Sequence, residues 1–235
     1  MKPNASCSSA QKEQVAEMFD SISGRYDLLN HVLSLGVDRW WRKSMVRRAR
    51  RCRPQSVLDV ATGTGDSAIA LKKSGATRIV GADISAQMLK VAEAKSGAAG
   101  IEFVKADGEQ LPFEDGCFDV VTIAFGIRNF ERRLQGLQEM RRVLRQNGTL
   151  IVLELSMPAN GVARNLYKLY FLRVVPLLGR LISRNSYAYR YLPRSVGEFP
   201  PRKAFAAEIR EAGFENVKAA TLSGGLATIY EARRR

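Results

Sequence analysis

Residues 56–66, SVLDVATGTGD, constrain the fold of this chain more than any other segment. Val57, Leu58 and Val60 predict a buried parallel strand, and the residues from Ser67 onward predict a helix. Between them, two glycines allow a tight turn and let the backbone approach a ligand closely. A strand that leads through such a turn into a helix N-terminus presents free backbone amides to a ligand, so the segment predicts a nucleotide site.

Strand and helix patterns alternate from residue 56 to residue 155. We predict strands at 56–61, 78–83, 101–105, 118–125 and 149–155, and helices at 66–74, 85–96 and 131–146. The helix at 131–146 is expected to end at Asn147-Gly148. A further helix at 201–212 precedes two strands, 214–222 and 226–233, which flank the turn Ser223-Gly224-Gly225 and predict a hairpin. This order predicts an α/β fold with a mostly parallel sheet and an antiparallel C-terminal hairpin.

The length of 235 residues suits a single domain, 1–235. Within it we predict a helical N-terminal cover at 11–53, a nucleotide-binding core at 56–155, an insertion at 160–200 and a C-terminal helix and hairpin at 201–235. The insertion is rich in leucine, aromatic residues and arginine, which is typical of a lid over an apolar pocket.

The formal net charge of +14 predicts attraction to a polyanion, either a nucleic acid or an anionic membrane surface. Residues 39–53 alone contain eight Arg or Lys residues and no acid. Cys7, Cys52 and Cys117 form no CxxC pair, so we expect a reduced compartment and no metal site. No apolar run approaches the roughly 20 residues needed to span a bilayer.

Acidic residues follow the strands of the predicted core. Asp83 ends the second strand, where a carboxylate can accept both hydroxyls of a ribose, and Asp107 ends the third. Asp59 and Asp66 bracket the glycine turn, where negative charge suits an amino group and a sulfonium better than a phosphate. The same turn also satisfies the dinucleotide pattern GxGxxA, so a nicotinamide cofactor is the competing interpretation. The segment ADGEQLPF at 106–113 favours S-adenosyl-L-methionine.

The chain resembles the quinone C-methyltransferases of menaquinone and ubiquinone biosynthesis over nearly all of residues 13–232. The resemblance rests on MFDSISGRYDLLNHVLSLGVDRWWR at 18–42, LDVATGTGD at 58–66, ADGEQLPF at 106–113, FGIRNF at 125–130, YRYLPRSVGEFP at 189–200 and AGFENVKAATLSGG at 212–225. It implies the class I methyltransferase fold, which is Rossmann-like with seven strands, and it implies S-adenosyl-L-methionine as the methyl donor.

The resemblance also implies where the donor binds. Contacts to the donor are expected from Thr64 of the glycine turn, from Asp83, from the pair Asp107-Gly108 and from Ala124. The glycine turn and the strand ends themselves add Asp59, Thr62, Gly63, Gly65 and Ile84 as candidates. Two positions depart from the family pattern. Ala124 stands where a serine is often found, and Tyr230 stands where a histidine is often found.

The implied reaction methylates a ring carbon of a prenylated quinol, most directly demethylmenaquinol in menaquinone biosynthesis. The equivalent methylation of a benzoquinol in the ubiquinone pathway is the alternative. Arg128 is the first candidate to stabilise phenolate character, and Asn129 is a candidate hydrogen-bond donor to a quinol oxygen. Asp27 or His31 could accept the ring proton, although either could instead serve the helix in which it lies.

A lipid substrate and the basic segments together predict a cytoplasmic protein that binds the inner face of the membrane peripherally. Apolar lid surface would also allow a homodimer. A nucleic-acid methyltransferase is disfavoured, because no Asn/Asp-Pro-Pro-Tyr motif is present and Cys117 does not follow a proline. A nicotinamide-dependent oxidoreductase and a binding protein without catalysis are the remaining alternatives.

Overall fold

The fold is described from a computed structural model, at residues 15, 17–34, 36–158, 161, 169, 191 and 194–235. The helices are α1 (Tyr26–Leu33), α2 (Asp38–Arg51), α3 (Asp66–Leu71), α4 (Ala86–Glu93), α5 (Arg133–Val143) and α6 (Arg202–Glu211). The strands are β1 (Ser56–Val60), β2 (Arg78–Asp83), β3 (Ile101–Lys105), β4 (Phe118–Ala124), β5 (Leu144–Leu155), β6 (Phe214–Leu222) and β7 (Ala227–Arg234). Most of the predicted insertion at 160–200 lies outside the described residues.

The strands form one seven-stranded sheet in the order β3-β2-β1-β4-β5-β7-β6. Strands β1 to β5 pair in parallel, and β7 runs antiparallel to both β5 and β6. All five residues of β1 are buried, as expected for a central strand covered on both faces. The predicted mostly parallel sheet and its antiparallel C-terminal hairpin are confirmed.

Both faces of the sheet carry an apolar core. On one face α5 and α6 cover the sheet, and the rings of Phe205 and Tyr230 meet edge to face at 5.0 Å. Tyr230 is only 1% exposed, so at this position the side chain is part of the core. On the other face α2 packs through Trp41, Met45 and Ala49, which are four residues apart and so lie on one side of the helix.

The prediction of one helix over 131–146 is wrong at its C-terminal end. Helix α5 ends at Val143, and Leu144 already pairs with Phe118 of β4. The pairing then shifts, so that Val120 faces Thr149 and the intervening residues form a bulge that contains Asn147 in the left-handed region, at φ +60°. Asn147-Gly148 is therefore a feature of the strand rather than the end of the helix.

Other bounds differ by a few residues. The predicted helix 66–74 divides into α3 and a 3-10 turn at Lys72–Ser74, and the predicted helix 85–96 ends at Glu93. Strands β1 and β4 each end one residue early. Ala61 and Phe125, the residues that follow them, have φ of +51° and +58°, which bends the chain away from the sheet at this edge.

Candidate functional site

The glycine turn lies where β1 ends in the centre of the sheet. Its neighbours β2 and β4 lie on opposite sides of it, so the crevice beside the turn is the switch point at which open α/β sheets bind ligands. Gly65 has φ +80°, and a Cβ atom there would lie 2.9 Å from Ala92 and 3.3 Å from Phe103. Only glycine fits this position without a shift of helix α4 or strand β3.

Asp59 lies beneath the turn. Its side chain is fully buried, and its two carboxylate oxygens accept hydrogen bonds from Thr62 Oγ1 at 2.7 Å and from Thr122 Oγ1 at 2.6 Å. Burial raises the pKa of Asp59 to about 6, although both hydroxyls favour the charged form. The carboxylate therefore connects the turn to β4 from below.

Asp83 connects the turn to β2. Its Oδ2 accepts a 2.7 Å hydrogen bond from the Gly63 amide, and its Oδ1 accepts one of 2.9 Å from the Ser85 amide. Burial raises the pKa of Asp83 despite these two bonds. The carboxylate lines the crevice and retains acceptor capacity for hydroxyl groups.

The segment after β3 is held in place by two acidic side chains. Asp107 Oδ1 accepts a 2.8 Å hydrogen bond from the Glu109 amide. Glu109 is 2% exposed, and its carboxylate accepts hydrogen bonds from the amides of Glu131 and Arg132. Between these residues, Gly108 faces the Phe130 ring so closely that an added Cβ would lie 2.4 Å from Cζ. The absence of a side chain at residue 108 thus makes room for the ring.

One cavity joins these features. Its described lining comprises Val15, Phe19, Tyr26, Ala61, Gly63, Asp83, Ile84, Met88, Ala106, Asp107, Gly108, Glu109, Ala124, Phe125, Gly126, Asn129 and Phe130. Seven of the predicted site residues are in this wall, namely Gly63, Asp83, Ile84, Asp107, Gly108, Ala124 and Asn129. The structure thus brings the ends of β1, β2, β3 and β4 to one site.

The other predicted residues lie behind or beside the wall. Thr62, Thr64 and Gly65 are buried within the turn above Asp59, where they shape the backbone. Their roles in donor binding, like those of the whole predicted set, stay predictions.

Several apolar residues of the cavity wall were not among the predicted site residues. Phe19 and Tyr26 come from the N-terminal segment, and their rings meet edge to face at 5.9 Å. Met88 and Phe130 contribute from α4 and from the start of the α5 region. The sequence analysis predicted a helical cover at 11–53, but it did not indicate which of its residues line the cavity.

Arg128 lies next to the cavity in a buried ion pair. Its Nη1 donates a 2.9 Å hydrogen bond to Glu154 Oε1 and another to the carbonyl oxygen of Phe125. The two side chains are 6% and 0% exposed. Burial opposes the charge on Arg128, but Glu154 and the nearby hydroxyls of Tyr26 and Tyr191 raise its pKa above the ordinary value. No described group is within hydrogen-bond distance of Arg128 Nε.

Asn129 lines the cavity beside this pair. The hydroxyl of Tyr191 donates a 3.1 Å hydrogen bond to Asn129 Oδ1. With the oxygen engaged in this way, the amide nitrogen of Asn129 is the group available to donate toward a ligand. Tyr191 belongs to the predicted lid insertion and was not among the predicted site residues.

The two predicted proton acceptors have other partners. Asp27 accepts a hydrogen bond from the Thr64 hydroxyl and forms a 2.7 Å ion pair with Lys95. His31 Nδ1 lies 3.0 Å from Asp38 Oδ2, and Asp38 also pairs with Arg42. Burial works against ionisation of Asp38, but Ser34, Arg42 and His31 together keep its pKa below the ordinary value. A role for Asp27 or His31 in proton transfer stays a prediction.

Comparison with known proteins identifies the family. The model of the ubiE/COQ5 methyltransferase family matches residues 7–234. The chain belongs to this family. A ubiquinone/menaquinone biosynthesis C-methyltransferase UbiE from Geotalea uraniireducens is 47% identical over 224 residues, which cover 93% of this chain and 95% of the relative.

Two further relatives are named demethylmenaquinone methyltransferase. The protein from Deinococcus radiodurans is 47% identical over 226 residues, covering 95% of this chain and 93% of the relative. The protein from Thermus thermophilus is 48% identical over 216 residues, covering 91% of this chain and 98% of the relative. The resemblance predicted from the sequence motifs is therefore confirmed.

Solved structures confirm the fold. An S-adenosylmethionine-dependent methyltransferase from Thermotoga maritima aligns with a TM-score of 0.63 at 19% identity, covering 93% of this chain and 99% of that one. The [4+2]-cyclase SpnF aligns with a TM-score of 0.69 at 16% identity, covering 94% of this chain and 95% of the cyclase. Identities this low show the fold alone, and the cyclase illustrates that this fold does not determine the reaction.

The protein is a methyltransferase that uses S-adenosyl-L-methionine. The residues of the cavity fit this donor. Asp83 would present its carboxylate to the ribose, Asp107 and Gly108 would border the adenine, and Gly63 leaves the backbone of the turn accessible. The match to the methyltransferase family decides against the competing nicotinamide cofactor.

Proposed function

We propose that the protein methylates a ring carbon of demethylmenaquinol, and that the equivalent benzoquinol reaction is the second candidate. The main structural support is that one cavity extends from Asp83 to Asn129, so a donor and an aromatic acceptor can lie side by side. Relatives of similar length that are named demethylmenaquinone methyltransferase favour the naphthoquinol.

The apolar part of the wall supports an aromatic acceptor. Phe19, Tyr26, Phe125 and Phe130 offer ring faces and edges against which a quinol ring can pack. Packing of this kind holds the ring in line with the methyl group, and fixing the relative position of two reactants removes much of the entropic cost of their reaction.

The polar part of the wall supports activation of the acceptor. The donor, when bound, supplies a methyl group on an electrophilic sulfonium. The ring carbon of a quinol becomes a good nucleophile when an adjacent hydroxyl is ionised. Asn129 donates to that oxygen through its amide, and the cationic guanidinium of the adjacent Arg128 stabilises the negative charge. Arg128 cannot itself be the base, because it keeps its proton at neutral pH. After methyl transfer the ring carbon releases its proton to water, and the ring becomes aromatic again.

Methyl transfer from a labelled donor to a panel of reduced quinones tests the proposal. Demethylmenaquinol should accept the label at a ring carbon, and a demethylated benzoquinol with the same prenyl tail should accept it more slowly. Labelling of the benzoquinol alone would show that the protein catalyses the ubiquinone-pathway reaction instead. If neither quinol were labelled while the donor still bound, the proposed acceptor class would be wrong.

We also propose that α2 docks on an anionic membrane surface, from which a prenylated quinol would enter. The outward face of α2 carries Arg39, Lys43, Arg47 and Arg50, and these side chains border a cleft with Trp40. Trp40 is 48% exposed, and Leu28 on the preceding helix is 56% exposed. Basic side chains beside an exposed tryptophan suit the headgroup region of a bilayer. No helix in the described part of the chain is both long and apolar enough to cross a membrane.

A further inference from the structure

Lys95 joins two segments that are far apart in the sequence. Its Nζ lies 2.7 Å from Asp27 Oδ2 and 2.6 Å from Asp66 Oδ1. Asp27 lies in the first turn of α1, and Asp66 is the first residue of α3, directly after the glycine turn. The lysine follows α4 and its side chain is 22% exposed. A single ammonium group therefore connects the N-terminal segment to the turn that frames the donor cavity.

The second oxygen of Asp27 strengthens the same connection. Asp27 Oδ1 accepts a hydrogen bond from the hydroxyl of Thr64, which is 2% exposed and lies within the glycine turn. Both carboxylate oxygens thus contact residues outside the N-terminal segment. Since Asp27 is not part of the described cavity wall, these contacts favour a tethering role over proton transfer.

A second tether lies on the other side of the cavity. The hydroxyl of Ser85 donates a hydrogen bond to Asp20 Oδ1, and Ser85 is 1% exposed. Ser85 also caps α4, because its Oγ accepts a 3.0 Å hydrogen bond from the Met88 amide. Phe19 and Tyr26, each of which directly precedes a tethered aspartate, form part of the cavity wall. The N-terminal segment is thus fastened at two of the loops that line the cavity.

We infer that Lys95 is a positioning residue that holds residues 17–34 of the N-terminal cover over the bound methyl donor. The ammonium bridges two carboxylates that would otherwise repel each other, one on the cover and one on the turn. Loss of the ammonium leaves Asp27 and Asp66 as two like charges without the cation that pairs with both. The cover should then open more often, and donor and product should dissociate faster.

The test measures S-adenosylhomocysteine, which reports on the donor site without any quinol. Lys95→Met keeps the apolar stem and removes the charge, and Lys90→Met, at an exposed position on α4, is the matched control. In Lys95→Met we expect Kd by calorimetry and the dissociation rate by stopped flow to rise about tenfold. Lys95→Arg should keep both Kd and the dissociation rate close to the wild-type values, and Lys90→Met should change neither quantity.

A double-mutant cycle with Asp27→Asn distinguishes a tether between Lys95 and Asp27 from a general loss of stability. If Lys95 acts through Asp27, Asp27→Asn should add little to the effect of Lys95→Met on the dissociation rate. Fully additive effects would overturn the inference. It would also be overturned if Lys95→Met lowered the Tm of the ligand-free protein but left the dissociation rate unchanged, since that pattern describes a purely structural ion pair.

Discussion

The amide of Gly63 donates a 2.7 Å hydrogen bond to Asp83 Oδ2, so the glycine turn and the end of β2 form one unit before any ligand binds. The carboxylate thus fixes the part of the turn that borders the cavity. Because its pKa is raised by burial, Asp83 is also sensitive to any change of its hydrogen-bond partners.

Asp83→Asn should weaken donor binding strongly and should also lower stability somewhat, because the amide nitrogen cannot accept the hydrogen bond of the second backbone amide. An amide keeps the size of the side chain but accepts fewer hydrogen bonds than a carboxylate. Hydrogen bonds to a charged group contribute roughly 1.5–3 kcal/mol, so we expect Kd for S-adenosylhomocysteine to rise roughly 10-fold to 150-fold. Calorimetry gives the Kd. Asp115→Asn, at a side chain that is 71% exposed, is the control and should bind like the wild type.

Asp59 should make the protein less stable as the pH rises from about 4 to 6. The pKa of Asp59 is about 6 in the folded protein and 3.8 in the unfolded chain. Between these two values the folded state holds a proton that the unfolded state has lost. A difference of about two pKa units corresponds to roughly 3 kcal/mol, which is fully available below the unfolded pKa and lost above the folded one.

Asp59→Asn tests this pH dependence. We expect the variant to lose the contribution of Asp59 to the slope between pH 4 and 6, as measured by urea unfolding at a series of pH values. The amide can still bond to the hydroxyls of Thr62 and Thr122, because a hydroxyl can donate or accept. An unchanged slope in the variant would mean that another group titrates in this range.

Gly108→Ala should be destabilising, because the new Cβ would lie 2.4 Å from Phe130 Cζ and 3.0 Å from Val60 Cγ1. Overpacking of this kind costs roughly 1–3 kcal/mol of the free energy of unfolding. Phe130→Leu on the same background should recover part of the loss, since it removes the clashing edge of the ring. Gly197→Ala is the control, because no atom lies within 4 Å of a Cβ there, and thermal unfolding should show no loss of stability.

The sequence predicted the strand and helix on either side of the glycine turn, the parallel core and the acid at the end of β2, because each has a local signature. The bulge at the start of β5 was not predicted, since it depends on how Phe118 pairs across the sheet. The contacts of Asp27 with Thr64 and Lys95 were also missed. They join residues that are 37 and 68 positions apart, and no periodicity in either segment encodes them.

Arg128→Ala should lower both stability and turnover, and the two effects can be separated. Removing Arg128 leaves the fully buried carboxylate of Glu154 without its cation, which costs roughly 3–5 kcal/mol of unfolding free energy. The double variant Arg128→Met with Glu154→Gln removes both charges and should recover most of the stability. If Arg128 stabilises phenolate character, this stable variant should still bind S-adenosylhomocysteine but transfer methyl groups slowly. Wild-type turnover in the double variant would make the ion pair purely structural.

Membrane docking should depend on the outward face of α2 and on salt. Replacing Lys43, Arg47 and Arg50 by glutamate reverses three charges around the cleft beside Trp40. Because each basic residue near an anionic surface contributes about 1 kcal/mol, the variant should no longer co-sediment with vesicles that contain phosphatidylglycerol. A control with Lys90, Lys203 and Lys218 replaced by glutamate changes the net charge equally at exposed positions elsewhere. If both variants lost binding to the same extent, attraction would follow net charge alone, and α2 would not be the docking face.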